Sequence, residues 1–174
     1  MRTWLQRLND IEAPWCVAWN RQGRRRRVKR FFQIVSRLGD GVVWYVTMAL
    51  LPLYFGSAGL LAGTHMLLVG LASLLVYKLL KQSTHRPRPC NLHGAVAGLM
   101  PALDEFSFPS GHTLHAVAFT TVLAFHFPEL ALLFLPFTLL VAISRLVLGL
   151  HYPSDVVTGA LLGGLLAGAS FLVL

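Results

Sequence analysis

The chain has 174 residues, of which 55% are hydrophobic and only 13% are charged. Soluble domains carry about 25% charged residues, so this composition excludes an ordinary soluble globular protein. The formal net charge is +8, and ten of the fifteen Lys and Arg residues lie within residues 1–40, beside the first apolar segment. This placement indicates contact with anionic lipid headgroups and argues against a nucleic-acid partner. Apolar stretches near bilayer-crossing length recur along the chain, so we predict an all-α fold, a polytopic membrane helix bundle.

The N-terminal segment has apolar residues near helical spacing, with charged residues among them. This pattern predicts an amphipathic helix in the membrane interface, broken or bent around Pro14. A disordered basic tail is the alternative. A cationic cluster follows and is expected at headgroup level, so residues 1–40 form a basic amphipathic segment and residues 41–174 the transmembrane domain. The apolar residues are Trp4, Leu5, Leu8, Ile11, Trp15 and Trp19, and the cluster comprises Arg24 to Arg27, Lys29 and Arg30.

Five apolar segments are predicted to cross the membrane, and Asp40 is expected to cap the first of them. Residues 56–59, Gly-Ser-Ala-Gly, predict a tight hairpin between the first two spans. Residues 81–111 are polar and contain several prolines, which predicts a loop. Glycines recur about four residues apart in the fifth span, so one face admits a neighbouring backbone. The spans lie at about residues 41–55, 60–80, 112–127, 130–148 and 156–174, and the glycines are Gly159, Gly163, Gly164 and Gly168.

Polar and ionisable residues beyond the basic segment collect at one side of the predicted bundle. Because charged groups inside a bilayer are costly, such residues mark functional sites. The opposite side offers His126, Glu129 and the chain terminus. This distribution indicates a site at one membrane face rather than a channel or a proton relay. The clustered residues are Lys81, Arg86, Arg88, Ser110, His112, Arg145, His151 and Asp155.

Three of these residues, Lys81, Arg88 and Arg145, are cations from different segments without matching carboxylates. An uncompensated cationic pocket is costly unless it binds an anion, and guanidinium groups suit phosphate oxygens. The third span opens with Phe108-Pro109-Ser110-Gly111-His112, where the unpaired N–H groups of the first helical turn face the same anion. Gly111 allows close backbone approach, and the Ser110 hydroxyl donates a further hydrogen bond.

Two histidines supply the chemistry. His151 and Asp155 are four residues apart, so they share a face if the fifth helix begins there. Asp155 then accepts a hydrogen bond from one ring nitrogen of His151 and leaves the other aimed at phosphorus as the nucleophile. His112 lies on a different segment and is free to act as the general acid for the departing alkoxide. These residues contain no metal-binding set, so we predict catalysis without a metal ion or any other cofactor.

The same residues resemble the three motifs of the type 2 phosphatidic acid phosphatase (PAP2) superfamily, which includes vanadium haloperoxidases and glucose-6-phosphatase. The motifs occur in the family's order, and none of their positions departs from the pattern. The resemblance implies phosphate binding by the three cations with Ser110 and Gly111, protonation of the leaving group by His112, attack by His151, and orientation of His151 by Asp155. The motifs are Lys81-x6-Arg88-Pro89, Pro109-Ser110-Gly111-His112 and Ser144-Arg145-x5-His151-x3-Asp155.

The number of spans predicts the membrane face of the site. Familiar bacterial members of this family have six spans and a periplasmic site, whereas five spans are predicted here. All fifteen Lys and Arg residues then share the side of the N-terminus and the site, and the positive-inside rule makes that side cytoplasmic. We therefore expect a protein of the bacterial inner (cytoplasmic) membrane with its active site on the cytoplasmic face.

The leading functional hypothesis is hydrolysis of a membrane lipid phosphate or diphosphate through a phosphohistidine. The resemblance suggests undecaprenyl diphosphate, phosphatidylglycerophosphate, phosphatidate or a polyprenyl-linked phosphate, and the sequence does not separate these substrates. A lipid phosphotransferase and a non-catalytic lipid-binding protein are the alternatives, with a haloperoxidase the remotest. Arg86 lies off the first motif's pattern, and we expect it to be a solvated loop residue. The sequence leaves the oligomeric state open.

Overall fold

The computed structural model describes residues 4–173, which form helices joined by short turns and one long loop. Within these residues there is no strand, so the all-α prediction is confirmed. A π-helical turn, Leu38–Val42, links the second helix to the third. The helices are α1 (Trp4–Gly23), α2 (Arg26–Arg37), α3 (Val43–Thr84), α4 (Pro89–Leu92), α5 (Gly111–His126), α6 (Pro128–Val147) and α7 (Pro153–Ser170).

Helix α3 contains the first two predicted spans as two arms, 43–55 and 57–84. The chain reverses between them at Gly56, whose φ of 55° and ψ of −130° lie outside the helical region. Glycine adopts this backbone conformation without the steric penalty of a side chain. The arms touch through their backbones, because a Cβ atom on Gly59 would lie 1.9 Å from the carbonyl oxygen of Leu51. The predicted hairpin is therefore confirmed, with its turn at a single glycine.

Helix α1 runs through Pro14 without interruption. Of the predicted break or bend at this proline, the break is wrong. The helix packs against α2, α4, α6 and α7, and tertiary packing of this kind outweighs the poor helix propensity of one residue. Its inward face is polar, whereas its outward face carries aromatic and aliphatic side chains. The buried polar residues are Asn9, Glu12 and Asn20, and the exposed apolar residues are Trp4, Ile11, Trp15 and Trp19.

Helix α2 carries much of the cationic cluster, and the sequence pattern does not predict it. Four consecutive arginines, Arg24 to Arg27, hide the apolar spacing that follows them. The helix packs against α6 and buries Val35 and Ser36. Its N-terminal half leaves Arg26, Arg27 and Arg30 exposed, so the basic side chains of the segment remain accessible next to the bundle.

Helix α5 lies at the centre of the bundle and packs against α3, α6 and α7. A Cβ atom on Gly159 of α7 would lie 2.6 Å from the carbonyl oxygen of Ser110, and one on Gly163 would lie 2.3 Å from that of Leu114. These two glycines provide the predicted close approach, whereas a Cβ atom on Gly168 would meet no described atom within 4 Å. The contact holds α5 and α7 parallel, with their N-terminal turns side by side.

The outer surface of the bundle is apolar. Leu53 of α3, Leu132 of α6 and Leu165 of α7 are 78%, 75% and 68% exposed. Extended apolar surface of this kind faces lipid in a helical membrane protein. By length and apolar composition alone, two stretches of the described chain are able to cross a membrane: Arg26–Leu92, which contains α3, and Pro128–Val147. The five predicted spans correspond to the two arms of α3 and to α5, α6 and α7.

Candidate active site

A cavity of about 360 Å³ lies between α3, α5 and the loop that precedes α5, residues 93–110. Its polar end lies where α5 and α7 begin, and its apolar end follows α3 into the bundle. Six of the eight predicted site residues line the cavity, and the other two lie behind its wall. The six are Lys81, Arg88, Gly111, His112, Arg145 and His151, and the two are Ser110 and Asp155.

The three predicted cations of the cavity come from different segments of the chain. Lys81 lies in the last turns of α3, Arg88 immediately precedes α4, and Arg145 lies in the last turn of α6. All three are buried. Arg145 donates from Nη1 to the Ser36 hydroxyl, and its buried Nε has no hydrogen-bond partner among the residues that the structure describes. An unpartnered guanidinium N–H at a cavity wall is a ready donor to an anion.

Asp104, in the loop of residues 93–110, lies on two of these cations. Its Oδ1 accepts hydrogen bonds from Lys81 Nζ and from Arg88 Nη2, each at 2.6 Å, and its backbone oxygen accepts one from Arg88 Nε at 3.1 Å. The expectation that these cations lack a carboxylate partner is therefore wrong. The loop folds back over the cations. No motif or residue spacing in the sequence predicts this contact. The carboxylate occupies a position where a phosphate oxygen would meet the same two donors.

His151 lies in the turn between α6 and α7. Its Nε2 is 3.3 Å from Arg88 Nη1, and because a guanidinium only donates, this nitrogen is the acceptor. Its Nδ1 is 3.5 Å from Asp155 Oδ2, so the two side chains meet as their spacing predicts. This contact is not a hydrogen bond, and Nδ1 has no hydrogen-bond partner among the described residues. Burial lowers the pKa of His151 well below its ordinary value of 6.5, and the charges of Arg88, Arg145 and Lys81 lower it further. The ring is therefore neutral at neutral pH, as a nucleophile requires.

His112, the second residue of α5, lines the same cavity and has a carboxylate partner of its own. Its Nε2 is hydrogen-bonded to Oδ1 of Asp40. Asp40 lies in the π-helical turn beside Gly41, whose φ is 137°. The prediction that Asp40 caps the first span is wrong, because the chain enters α3 through the π-helical turn and the carboxylate points to His112 instead. Within residues 4–173, no three His, Cys, Asp or Glu side chains are grouped so as to hold a metal ion.

Ser110 links two helices and does not face the cavity. Its hydroxyl lies 3.0 Å from Thr113 Oγ1, and its N–H donates to the backbone oxygen of Asp155 at 3.0 Å. The close packing at Gly159 draws this turn against α7, so the hydroxyl that was expected to bond to the anion has a partner within the protein. Gly111, the next residue, lines the cavity at the first turn of α5.

Arg86 is 1% exposed, so the expectation of a solvated loop residue is wrong. Its guanidinium pairs with Asp155 Oδ1 at 2.6 Å and with Glu12 Oε2 at 2.7 Å. The two carboxylates supply the compensation that a buried guanidinium needs. Glu12 and Arg86 are 74 residues apart in the chain, and no local sequence signal predicts that they meet.

The apolar end of the cavity lies between the arms of α3 and α5. It is continuous with the polar end, so one space joins the buried cations to a hydrophobic groove. This combination suits an amphiphile whose anionic headgroup and apolar tail are adjacent. The groove is lined by Tyr45, Met48, Leu67, Leu71, Leu74 and Phe119.

The fold and the cavity together define a helical membrane protein with a cationic site at one end of its bundle, the arrangement of a lipid phosphatase. The chain belongs to the PAP2 superfamily: residues 62–174 match the model of this family. The matched range contains all three motifs, whereas α1, α2 and the first arm of α3 lie outside it. The recognition of the family from the motifs is confirmed.

Two relatives illustrate the similarity in sequence. Lipid A 1-phosphatase of Rhizobium etli is 29% identical over 157 residues, which cover 79% of this chain and 67% of the relative. Undecaprenyl-diphosphatase BcrC of Bacillus subtilis is 34% identical over 104 residues, which cover 60% of this chain and 53% of the relative. The matched region thus spans about half to two thirds of the relatives' length.

Two solved structures illustrate the similarity in fold. LpxE of Aquifex aeolicus has a TM-score of 0.80 and 27% identity, with 92% of this chain and 94% of that chain covered. A transmembrane PAP2-type phosphatidylglycerolphosphate phosphatase of Bacillus subtilis has a TM-score of 0.73 and 26% identity, with 97% and 85% covered. Together with the family match, these likenesses make the chain an integral membrane phosphatase of the PAP2 type.

Proposed function

We propose that this phosphatase hydrolyses a membrane lipid phosphate or diphosphate through a phosphohistidine at His151. One observation carries the proposal: the cavity joins three buried cations and the accepting Nε2 of His151 to an apolar groove. A lipid is able to leave its tail in the bilayer and the groove while its headgroup lies among Lys81, Arg88 and Arg145. The lipid phosphatases among the relatives support this class of substrate.

In the first step, the substrate phosphate replaces the Asp104 carboxylate on Lys81 and Arg88. His151 Nε2 attacks phosphorus, and the bond from phosphorus to the leaving oxygen breaks, with its electron pair remaining on that oxygen. His112 donates a proton to the departing oxygen. Asp155 stabilises the positive charge that develops on the phosphorylated ring.

In the second step, water attacks the phosphorus of the phosphohistidine. His112, which has lost its proton, accepts one from this water, and the N–P bond breaks to release orthophosphate. His112 is then protonated again and His151 is neutral, so the cycle closes without any further reactant. The cations and the first N–H groups of α5 offset the negative charge on the phosphoryl oxygens in both steps.

We propose a position in the bacterial inner membrane with the site on the cytoplasmic face. The support is that α1 packs against the start of α7, where Glu12 bonds to Ser154, so the basic segment lies on the side of the site. The exposed Trp4 and Trp15 suit a membrane interface, and the exposed arginines beside them suit anionic headgroups.

Phosphate release from purified protein in detergent micelles tests the proposed chemistry. The substrates are phosphatidate, phosphatidylglycerophosphate, undecaprenyl diphosphate and lipid A, tested separately. We expect His151→Ala to lower kcat by at least about 10³-fold on every lipid that the unsubstituted protein hydrolyses, because the nucleophile is lost. His85→Ala is the matched control, since His85 is exposed and lies outside the cavity, and its activity should be unchanged.

Samples with labelled lipid, quenched in alkaline SDS, provide a second measurement. A phosphoenzyme that is labile in acid and stable in base should form in the His85→Ala protein and be absent from His151→Ala. Normal turnover by His151→Ala, at the elution volume of the unsubstituted protein in size-exclusion chromatography, would refute the mechanism.

A further inference from the structure

Arg86 lies at the centre of a buried hydrogen-bond network that the proposed mechanism does not use. Its side chain is 0% exposed. Nε donates to Asn9 Oδ1 at 2.9 Å, Nη1 donates to Ser154 Oγ at 2.7 Å and to Asp155 Oδ1 at 2.6 Å, and Nη2 donates to Glu12 Oε2 at 2.7 Å. The guanidinium therefore joins α1 to the first turn of α7, and it contacts the acid that supports His151.

The Asp155 carboxylate is held through both of its oxygens. Oδ1 accepts from Arg86, while Oδ2 accepts from the backbone N–H of Tyr152 at 2.8 Å and lies 3.5 Å from His151 Nδ1. The Arg86 guanidinium also stacks on the Tyr152 ring, 4.1 Å from its centroid. These contacts hold the carboxylate with Oδ2 next to the imidazole, at a distance longer than a hydrogen bond. Loss of the Arg86 contact would free the carboxylate to turn away from His151.

Glu12 restores the negative charge that Arg86 alone would cancel. Arg86 and Asp155 form a neutral pair, and a neutral pair attracts a developing imidazolium weakly. Glu12 adds one negative charge and is itself held by Ser154, whose N–H donates to Oε1 at 2.7 Å and whose hydroxyl donates to Oε2 at 2.6 Å. The three ionised groups then sum to −1 behind the ring, where positive charge develops as His151 is phosphorylated.

We propose that Arg86 and Glu12 are positioning residues for the Asp155–His151 pair, which makes α1 a working part of the active site. This inference rests on the proposed function, since it requires His151 to react. Arg86 and Glu12 act on kcat through Asp155 and do not contact the substrate. Glu12 lies outside the range of the family model, residues 62–174, so the support reaches the site from a segment beyond the family's motifs.

A double-mutant cycle tests whether Arg86 acts through Asp155. We expect Arg86→Gln to lower kcat about tenfold or more and to change KM by less than about threefold, because the side chain does not line the cavity. In an Asp155→Asn background, the same substitution should lower kcat by less than about twofold, because the group through which it acts is already lost. Independent, multiplying losses would overturn the inference, and so would a loss confined to KM.

Glu12→Gln provides a milder variant if Arg86→Gln does not fold. Glutamine keeps the size of the side chain and removes its charge, so we expect kcat to fall about threefold to tenfold, again without further effect in Asp155→Asn. Arg24→Gln is the matched control, since Arg24 donates to Ala95 O and is exposed, and its kcat should be unchanged. A kcat for Glu12→Gln equal to that of Arg24→Gln would overturn the role of Glu12.

The parent mechanism and this inference fail in different ways. If His151→Ala keeps its activity, the proposed phosphohistidine is wrong. If His151→Ala is inactive while the cycle between Arg86 and Asp155 is multiplicative, the mechanism stands and only the positioning role is lost.

Discussion

Each of the two proposed catalytic histidines, His112 and His151, has a carboxylate beside it. His151 Nδ1 faces Asp155, and His112 Nε2 is bonded to Asp40. The partner of one ring nitrogen determines what the other nitrogen does, because it sets the tautomer and the favoured charge. For His151 this leaves the lone pair on Nε2, which accepts from Arg88 in the structure and would attack phosphorus in the proposed mechanism. For His112 the hydrogen bond to Asp40 orients the ring at the cavity wall, where the proposed general acid must lie.

Asp40→Asn tests this assignment of His112. We expect kcat to fall about tenfold on the lipid substrate, because asparagine keeps the shape of the side chain and removes the charge that stabilises the imidazole proton. With p-nitrophenyl phosphate, whose leaving group needs little protonation, kcat should change less than about twofold. The measurement is the ratio of the two losses, with Glu129→Gln at the start of α6 as the control. Equal losses on both substrates would count against a role in proton donation.

At the scale of residues, the cations and the histidines that the sequence singles out lie together at one cavity. Charged groups are rare in this chain beyond the basic segment, so those at the ends of apolar spans stand out. The compensating acids are harder to find, because Glu12, Asp40 and Asp104 come from three separate segments and reach the site only through tertiary contacts. The sequence also does not predict where the Arg86 side chain points. Its contacts with α1 depend on tertiary packing and not on its place in the first motif.

The residues of the site lie at or next to the ends of helices, so the packing of the helices determines where these residues meet. The parallel contact between α5 and α7, made close by Gly159 and Gly163, places the first turn of α5 next to Asp155. Glycine spacing predicted this contact, because small residues on one face of a helix have a direct geometric consequence. The continuity of α1 through Pro14 was not predictable from propensity, since it depends on packing against elements distant in the chain.

The effect of the loop of residues 93–110 on substrate binding can be measured directly. Asp104 in this loop covers Lys81 and Arg88, so an incoming phosphate must displace a carboxylate. We expect Asp104→Asn to lower KM for the lipid, and the inhibition constant for inorganic phosphate, by about threefold to tenfold without raising kcat. A neutral amide competes less strongly for the two cations than a carboxylate does.

Glu105→Gln is the control for this substitution, since Glu105 is the exposed acid next to Asp104. Its KM should stay within about twofold of that of the unsubstituted protein. A rise in KM for Asp104→Asn would show that the carboxylate holds the two cations in a productive geometry, and it would contradict the competition described here.

At the scale of the whole molecule, charge and apolar surface are separated. The cations of the site lie at the end of the bundle against which α1 packs, and the outward surfaces of α3, α6 and α7 carry exposed leucines. The composition predicts this separation, because a bilayer tolerates charge only at its faces or within a protected interior. The sequence predicts five spans from its long apolar segments, and helical segments lie at all five positions. By length and composition, the stretch that contains α3 and the helix α6 are able to cross a membrane.

The proposed cytoplasmic face of the site is open to a direct test. Because α7 begins at the site and then crosses the bundle, the carboxyl end of the chain lies on the opposite side. Positively charged segments are retained in the cytoplasm, so we expect a reporter that is active only in the periplasm to be active when fused to the carboxyl end. The same fusion with a reporter that folds only in the cytoplasm should be silent.

The reverse pair of results would place the basic segment and the cavity in the periplasm and overturn the cytoplasmic assignment. The outcome also narrows the substrate, because a lipid must present its phosphate at the face where the cavity opens. A cytoplasmic cavity favours phosphatidylglycerophosphate or a polyprenyl-linked sugar phosphate, whereas a periplasmic one favours undecaprenyl diphosphate. The phosphate-release panel should then show the greatest kcat/KM for a lipid of the matching group, which ties the topology of the chain to its chemistry.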